Sequence, residues 1–211
     1  SIYLNKEGIK SRTWTAWQIP IYTNNEYGKA RIESIPKDNI LESFKYYDVA
    51  IVTGFQGISK ENKVTTLGRG GSDTTAVAMA AAFKAEQCDI FTDVEGVFTA
   101  NPSIVPNAKK IDYITYEEML EMASLGAKVL QTRSVELAMK YNITIQVLSS
   151  QIDKKGTFVV NDNKKMEKEV VSGISFSKDE AIVTVSGLLD KPGVSAGIFG
   201  SLAEANINVD M

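Results

Sequence analysis

Apolar positions along the chain fall into short blocks whose spacing alternates between strand and helix. Residues 47–53 (YDVAIVT) form a brief apolar run closed by Gly54, the pattern of a buried strand. Residues 72–87 are alanine-rich, with polar residues gathered at the two ends, which predicts a buried helix. Residues 89–92 (DIFT) give a second strand ending at Asp93. Residues 116–123 and 133–141 are spaced as helices, with Gly126, Ala127 and Lys128 between them, and 144–148 is a further strand. Strands alternating with helices of this length predict an α/β fold with a mainly parallel sheet covered on both faces.

Residues 149–171 break this pattern. They are dense in lysine and acidic residues, with Gly156 and 161–163 as turn signals, and predict a linker with a short edge hairpin around 157–160. After it, 181–186 is expected as a strand, 190–193 as a turn and 194–205 as a helix. The helix rests on the spacing of Val194, Ile198, Phe199, Leu202 and Ala203. A new strand is expected from Asn208. The chain therefore divides into a first domain over 1–150, a linker over 151–171 and the β-α-β opening of a second, smaller domain over 172–211.

Composition narrows the chemistry. The chain has 211 residues, 44% hydrophobic and 23% charged, as in ordinary globular proteins. A net charge of −3 gives no electrostatic case for nucleic acid or a membrane surface. The single cysteine, Cys88, excludes an internal disulfide framework and a cysteine-rich zinc site, and is expected to be a small buried residue. Trp17 is likewise expected to be structural. Histidine is absent, so acid–base work and metal ligation by imidazole are excluded. What chemistry there is must run on carboxylates, lysines, hydroxyls and backbone amides, and no residue is assigned to a metal. No apolar stretch approaches the ~18–20 residues of a bilayer span, so a cytoplasmic location is expected. The chain starts at Ser1 and its last residues read as a strand, so both ends are expected to belong to a longer protein.

The densest motif is Gly68-Arg69-Gly70-Gly71-Ser72-Asp73, between a strand region and the alanine-rich helix. Closely spaced glycines let the backbone turn tightly with its amides aimed at one point. Ser72 or Asp73 is expected to cap the helix, and the free amides at the helix start form an anion site. Arg69 adds a forked guanidinium suited to carboxylate or phosphate. The spacing is neither a P-loop nor a dinucleotide fingerprint. The plainer alternative is a glycine turn feeding a capped helix.

The string over 65–82 (TTLGRGGSDTTAVAMAAA) resembles the aspartokinase signature, as do 91–98 and 116–130. Thr53-Gly54-Phe55-Gln56-Gly57 and Trp17-Gln18 match as well, and the resemblance runs from residue 1 to residue 211. It implies a three-layer α/β/α amino-acid kinase domain followed by ACT-type regulatory domains of ferredoxin-like fold, of which 172–211 is the start. It implies phosphoryl transfer from ATP, with Mg²⁺, to the side-chain carboxylate of L-aspartate, the first step towards lysine, threonine and methionine. By position, Phe55, Arg69, Gly70, Gly71 and Ser72 fall on the aspartate side. Thr92, Asp93, Phe98, Lys128 and Val129 fall on the ATP side. Asp73 and Lys128 are the expected catalytic pair, Asp73 orienting active-site lysines and Lys128 stabilising charge on the phosphoryl group.

At the other end, Asp190, Gly193, Ser195, Ile207 and Asn208 match the region where the family binds lysine or threonine, often at a subunit interface. A homodimer or larger homo-oligomer is implied. Each assignment has a plainer counterpart: Asp73 as a helix cap, Asp93 as a turn residue, Lys128 as a surface lysine, Phe55 and Phe98 as core, and 190–208 as a bare β-α turn.

The match has departures. Ser103 stands where the family carries an arginine on the ATP phosphates, so nucleotide binding is expected to be weaker, or compensated by Lys109 or Lys110. Gln131 replaces a common histidine and Ala16 a common glycine, with little effect expected. The family's opening lysine-bearing glycine loop, and the glutamate that follows it, are not in this sequence, so the stretch alone is expected to have little kinase activity. Other readings are a different amino-acid kinase, or a regulatory or scaffolding protein that kept the fold.

Overall fold

A computed structural model of the chain describes residues 1–15, 17–161, 171–176, 184–187, 191 and 193–205. The chain forms two units, Ser1–Ser177 and Lys178–Met211. In the first, chain order is α1 (Ile2–Lys6), β1 (Ser11–Trp14), β2 (Tyr22–Thr23), β3 (Ile32–Ser34), α2 (Asp38–Ser43), β4 (Val49–Val52), β5 (Gln56–Ser59) and β6 (Val64–Thr66). There follow α3 (Gly71–Phe83), β7 (Cys88–Thr92), β8 (Tyr113–Thr115), α4 (Tyr116–Ser124), α5 (Thr132–Tyr141), β9 (Ile145–Ser149) and β10 (Thr157–Val160). The helices and strands expected from residue 47 to 148 are present, with ends shifted by a few residues.

The strands form a parallel pair β1–β4, a mixed sheet in the order β3-β2-β5-β6, and a four-stranded sheet in the order β7-β9-β10-β8. In the last, β7 and β9 are parallel, β10 is antiparallel to β9, and β8 is parallel to β10. Helices α3, α4 and α5 pack on one face of this sheet. Val77 and Ala80 of α3, Met119 and Met122 of α4, and Val135 and Ala138 of α5 meet Ile90, Ile145, Val147, Val159 and Ile114 in one buried cluster. The other face is not sealed as expected: Phe91 is 65% and Tyr113 41% exposed. Helix α3 also touches a second cluster through Met79 and Phe83, which pack with Trp14, Ile19 and Ile40 beside the β1–β4 pair. A helix wedged between two apolar surfaces must be apolar all round, which accounts for its alanine-rich composition.

Residues 157–160 are not an edge hairpin in a linker. They form β10, an interior strand paired on both sides, with Thr157 and Val159 fully buried. Gly156 enters this strand so close to β9 that a Cβ would lie 1.7 Å from the Val147 carbonyl oxygen. The turn signal there marks close backbone approach, not a free loop. Residues 171–174 also pack on this unit: the Ser172 hydroxyl donates to Glu118 Oε1 at 2.6 Å and the Ile174 amide to the Thr99 carbonyl at 2.7 Å. Glu118 closes a capping box on α4, its Oε2 accepting from the Thr115 amide at 2.8 Å. Trp17, expected to be structural, is 74% exposed. Cys88 is buried, and burial with the charges of Asp89 and Asp73 pushes its thiol up to about 11, as suits an inert core residue.

In the second unit, the described residues include one helix, α6 (Val194–Glu204), started by Gly193 and matching the expected span. Residues 181–183, Asp190, Ile207, Asn208 and the strand expected from Asn208 lie outside the described residues. Residues 184–186 form no strand.

Candidate active site

Connectivity brings the motif residues to one edge of the sheet. Helix α3 has 13 residues, about 20 Å, and returns through a short turn to β7, so its start lies towards the carboxyl end of β7. Helix α5 leads into β9 in the same way, and β9 is parallel to β7. The start of α3 (Gly70 to Asp73), the carboxyl ends of β7 and β9 (Thr92 and Ser149), and the 125–131 loop before α5 therefore share an edge, where open α/β sheets bind ligands. Direct packing supports this. A Cβ on Gly70 would lie 2.0 Å from Gln131 Cγ, three residues after Lys128.

The glycine loop is built tightly. Gly70 starts α3 at φ 69°, and no side chain caps the helix. Ser72 and Asp73, expected to supply the cap, are instead the second and third residues of the helix. With no cap, the amides of Ser72 and Asp73 find no hydrogen-bond acceptor among the described residues. Uncapped first-turn amides carry the positive end of the helix dipole. Arg69 and Ser72 are exposed, and Arg69 has no ion pair among the described residues.

Phe55 closes one side. It is 45% exposed, so it is not core, and its backbone is left-handed at φ 70°, a conformation that costs a non-glycine residue about 1–2 kcal/mol. The strain is held by bonds on both sides: the Phe55 amide donates to Thr75 Oγ1 at 3.0 Å, and its carbonyl accepts from the Leu67 amide at 3.0 Å. Thr75 in turn donates to the Gly71 carbonyl at 2.8 Å. Its ring lies over Gly71, where a Cβ would be 2.9 Å from Phe55 Cδ2. The nearby Thr53 hydroxyl is buried with no partner among the described residues.

At the carboxyl end of β7, the Thr92 hydroxyl donates to Asp93 Oδ1 at 3.0 Å, and the Ser150 amide and hydroxyl donate to the Thr92 carbonyl at 2.8 and 3.0 Å. Asp93 and Lys128 are exposed, Val129 is half-buried against the main core cluster, and Phe98 is half-buried and bridged to Lys110. Lys110 is not a free cation: its ammonium donates to the carbonyls of Lys155 and Gly156 at 2.6 and 3.2 Å and pairs with Asp112 at 3.3 Å. Ser103 is held in a turn, its hydroxyl and amide donating to Asn101 Oδ1 at 2.7 and 3.0 Å. Of the effector-side residues, Gly193 and Ser195 lie at the start of α6; the remaining three are outside the described residues. Among the described residues no group of three potential metal-ligating side chains occurs.

Burial raises the Asp73 carboxyl above its ordinary value. A raised carboxyl favours the folded state at pH below its unfolded pKa, and that contribution is lost as pH rises through the folded one. Once ionised, Asp73 therefore weakens the ligand-free protein. Asp73→Asn should melt higher than the parent at pH 7, and the gap should shrink as pH falls towards about 4, the ordinary carboxylate range. Melting curves across that range check it; a gap that widens on acidification contradicts it.

Two residues at the start of α5 escaped the sequence reading. Gln131, expected to matter little, fills the space against Gly70. Arg133 donates from Nη1 to the Leu67 carbonyl and from Nη2 to the Ala30 carbonyl, both at 2.8 Å. A signal was present: a cation in the first turn opposes the helix dipole, and such a local conflict marks a tertiary or functional demand.

An uncapped helix preceded by a glycine-arginine loop stands here at the edge where open α/β sheets bind ligands, as the anion site of a small-molecule kinase requires. Residues 1–149 match the amino acid kinase family, and the chain belongs to it. It is 48% identical over 209 residues to an aspartate kinase of Pseudomonas putida, covering 99% of this chain and 51% of that protein. It is 47% identical over 207 residues to an aspartokinase of Mycobacterium tuberculosis, covering 97% of this chain and 49% of that protein. The chain thus spans about half the length of the curated relatives it matches. Its structure is similar to E. coli aspartokinase III in complex with aspartate and ADP (R-state), with TM-score 0.77, 29% identity, and coverage of 99% of this chain and 47% of that one. Likeness to UMP kinase from Bacillus anthracis, with TM-score 0.54 and 18% identity over 77% of this chain and 62% of that one, concerns the fold alone. No helix among the described residues is long and apolar enough to cross a membrane.

Proposed function

We propose that this chain carries the acceptor and nucleotide sites of an aspartate kinase, which transfers the γ-phosphoryl group of ATP to the β-carboxylate of L-aspartate and gives 4-phospho-L-aspartate. The observation that carries this reading is the uncapped start of α3, with its free amides and unpaired Arg69, packed against the loop that bears Lys128. Arg69 holds the substrate α-carboxylate as a bidentate pair, and Gly70, Gly71 and Ser72 offer backbone amides and a hydroxyl. Phe55 walls the acceptor side. Thr92, Asp93, Phe98 and Val129 frame the nucleotide.

The nucleophile is a carboxylate already ionised at neutral pH, so no general base is needed, and a chain without histidine can serve. Catalysis then rests on alignment and charge neutralisation. Lys128 supplies positive charge to the transferring group, and Asp73 orients neighbouring lysines. Mg²⁺ would arrive with ATP, held chiefly by phosphate oxygens and water. The second unit is read as the opening of an ACT-type domain, with Asp190, Gly193, Ser195, Ile207 and Asn208 contacting an amino-acid effector. Aspartokinase III with bound lysine supports lysine as one such effector. A homo-oligomer in the cytoplasm completes the reading.

Trapping the acyl phosphate with hydroxylamine tests it. The full-length protein should form aspartyl hydroxamate only with both ATP and aspartate present. Formation with another carboxylate or phosphate acceptor and none with aspartate would move the chain to a different member of the family. Ser103→Arg should tighten ATP binding about three- to fivefold, the scale of one exposed charge pair. Lys110 is committed to backbone carbonyls, which leaves Lys109 as the only one of the two expected substitutes free to help. A calorimetric titration showing no gain counts against a phosphate contact at this position.

A further inference from the structure

We propose that Arg133 is a positioning residue that fixes the separation between the acceptor-side glycine loop and the phosphate-side Lys128. The inference rests on the kinase reading. Arg133 lies in the first turn of α5, where the helix dipole disfavours a cation. Its guanidinium is partly buried, and burial lowers its pKa, with the Arg31 charge adding to the effect. Against both penalties it makes two charge-assisted bonds, one from each arm of its fork, to the carbonyls of Leu67 and Ala30 at 2.8 Å. These carbonyls belong to adjoining segments, since the Ala30 amide donates to the Thr66 carbonyl at 2.9 Å.

Leu67 directly precedes Gly68, is 2% exposed, and abuts Gly71, where a Cβ would be 3.0 Å from Leu67 Cβ. Gln131, two residues before Arg133, packs on Gly70 at the loop's other end. The start of α5 therefore grips the loop on both sides of Gly68 and Arg69. The turn holding Gln131 is itself locked, because the Ser134 amide and hydroxyl donate to the Gln131 carbonyl at 3.0 and 2.7 Å. Lys128 leads straight into this turn. Loop and lysine are thereby tied to one rigid body, with Arg133 as its polar fastening.

A lysine at 133 would supply a point charge without the planar fork that reaches both carbonyls together. In the full-length protein, Arg133→Lys should lower kcat about 10- to 100-fold, the penalty for reacting groups displaced by about 1 Å. The KM for ATP and for aspartate should each stay within about threefold, because either ligand still finds its own half-site. Gln131→Ala, which removes the packing but not the fork, should lower kcat in the same direction and serves if Arg133→Lys fails to fold. Amide exchange at Leu67 and Gly71 should be faster in Arg133→Lys. An unchanged kcat overturns the proposal, and so does a loss of kcat that only follows falling melting temperature and falling affinity for both ligands. If the parent protein itself forms no aspartyl phosphate, the kinase reading fails, and amide exchange still decides Arg133: unchanged rates at Leu67 and Gly71 remove the fastening role.

Discussion

Lys128→Met should reduce phosphoryl transfer about 10²–10³-fold, the usual effect of removing one aligned charge from a developing anionic centre. The protein should fold as before. Lys128 is exposed in the loop between α4 and α5, and the fold takes nothing from its ammonium among the described residues. Methionine keeps most of the stem and deletes the charge. The expected pattern is a lower kcat, a modest change in KM for ATP, and a melting temperature within about 1 °C of the parent, as for a surface substitution. A surface lysine with no role would leave kcat untouched. Steady-state rates and a melting curve on the same preparation separate the two.

Gly70→Ala should fail in the opposite manner, through the backbone. The residue is left-handed at φ 69°, which costs an alanine about 1–2 kcal/mol. The new methyl would also fall 2.0 Å from Gln131 Cγ and 2.5 Å from Gln131 Cβ, and the second of these is too near the main chain to swing aside. Overpacking of this kind adds about 1–3 kcal/mol, so a loss of roughly 2–5 kcal/mol is expected. Relief of the clash must push α5 away from α3, carrying Lys128 from the glycine loop. Activity should therefore drop with stability, by about 10²-fold for a displacement near 1 Å. Denaturant midpoints and hydroxamate yields, compared with Lys128→Met, distinguish a misplaced lysine from a missing one. Full activity in Gly70→Ala would mean that the contact with Gln131 has no bearing on alignment.

How much of this could be read from the sequence depended on whether the signal was local. The glycine loop, α3, β7 and β9 were legible because spacing and composition within a dozen residues specify them. The 1–46 region was not. Its strands β1, β2 and β3 are two to four residues long, too short for period-two alternation to show. Interior strand β10 was mistaken for a linker edge because charged residues flank it, and its burial comes from neighbours distant in sequence. Ser72 and Asp73 looked like caps by type, yet the tight turn at Gly70 places the helix start ahead of them. Arg133 and Gln131 gain their roles from contacts with residues 30, 67 and 70, which no spacing along the chain reveals. The strained backbone at Phe55 likewise shows only in three dimensions, although its place in a recognisable string was visible.

Amide chemical shifts of the ¹⁵N-labelled full-length protein, recorded with each ligand alone, examine whether the two half-sites are separate and adjacent. Aspartate should move the amides of Gly70, Gly71, Ser72 and Asp73, which have free or tightly turned backbone. ATP with Mg²⁺ should move Thr92, Asp93, Lys128 and Val129. Both ligands together should shift Gln131, which packs on Gly70 three residues after Lys128. If aspartate leaves the 68–73 amides unmoved while still serving as phosphoryl acceptor, the anion cradle at the start of α3 is not its binding site.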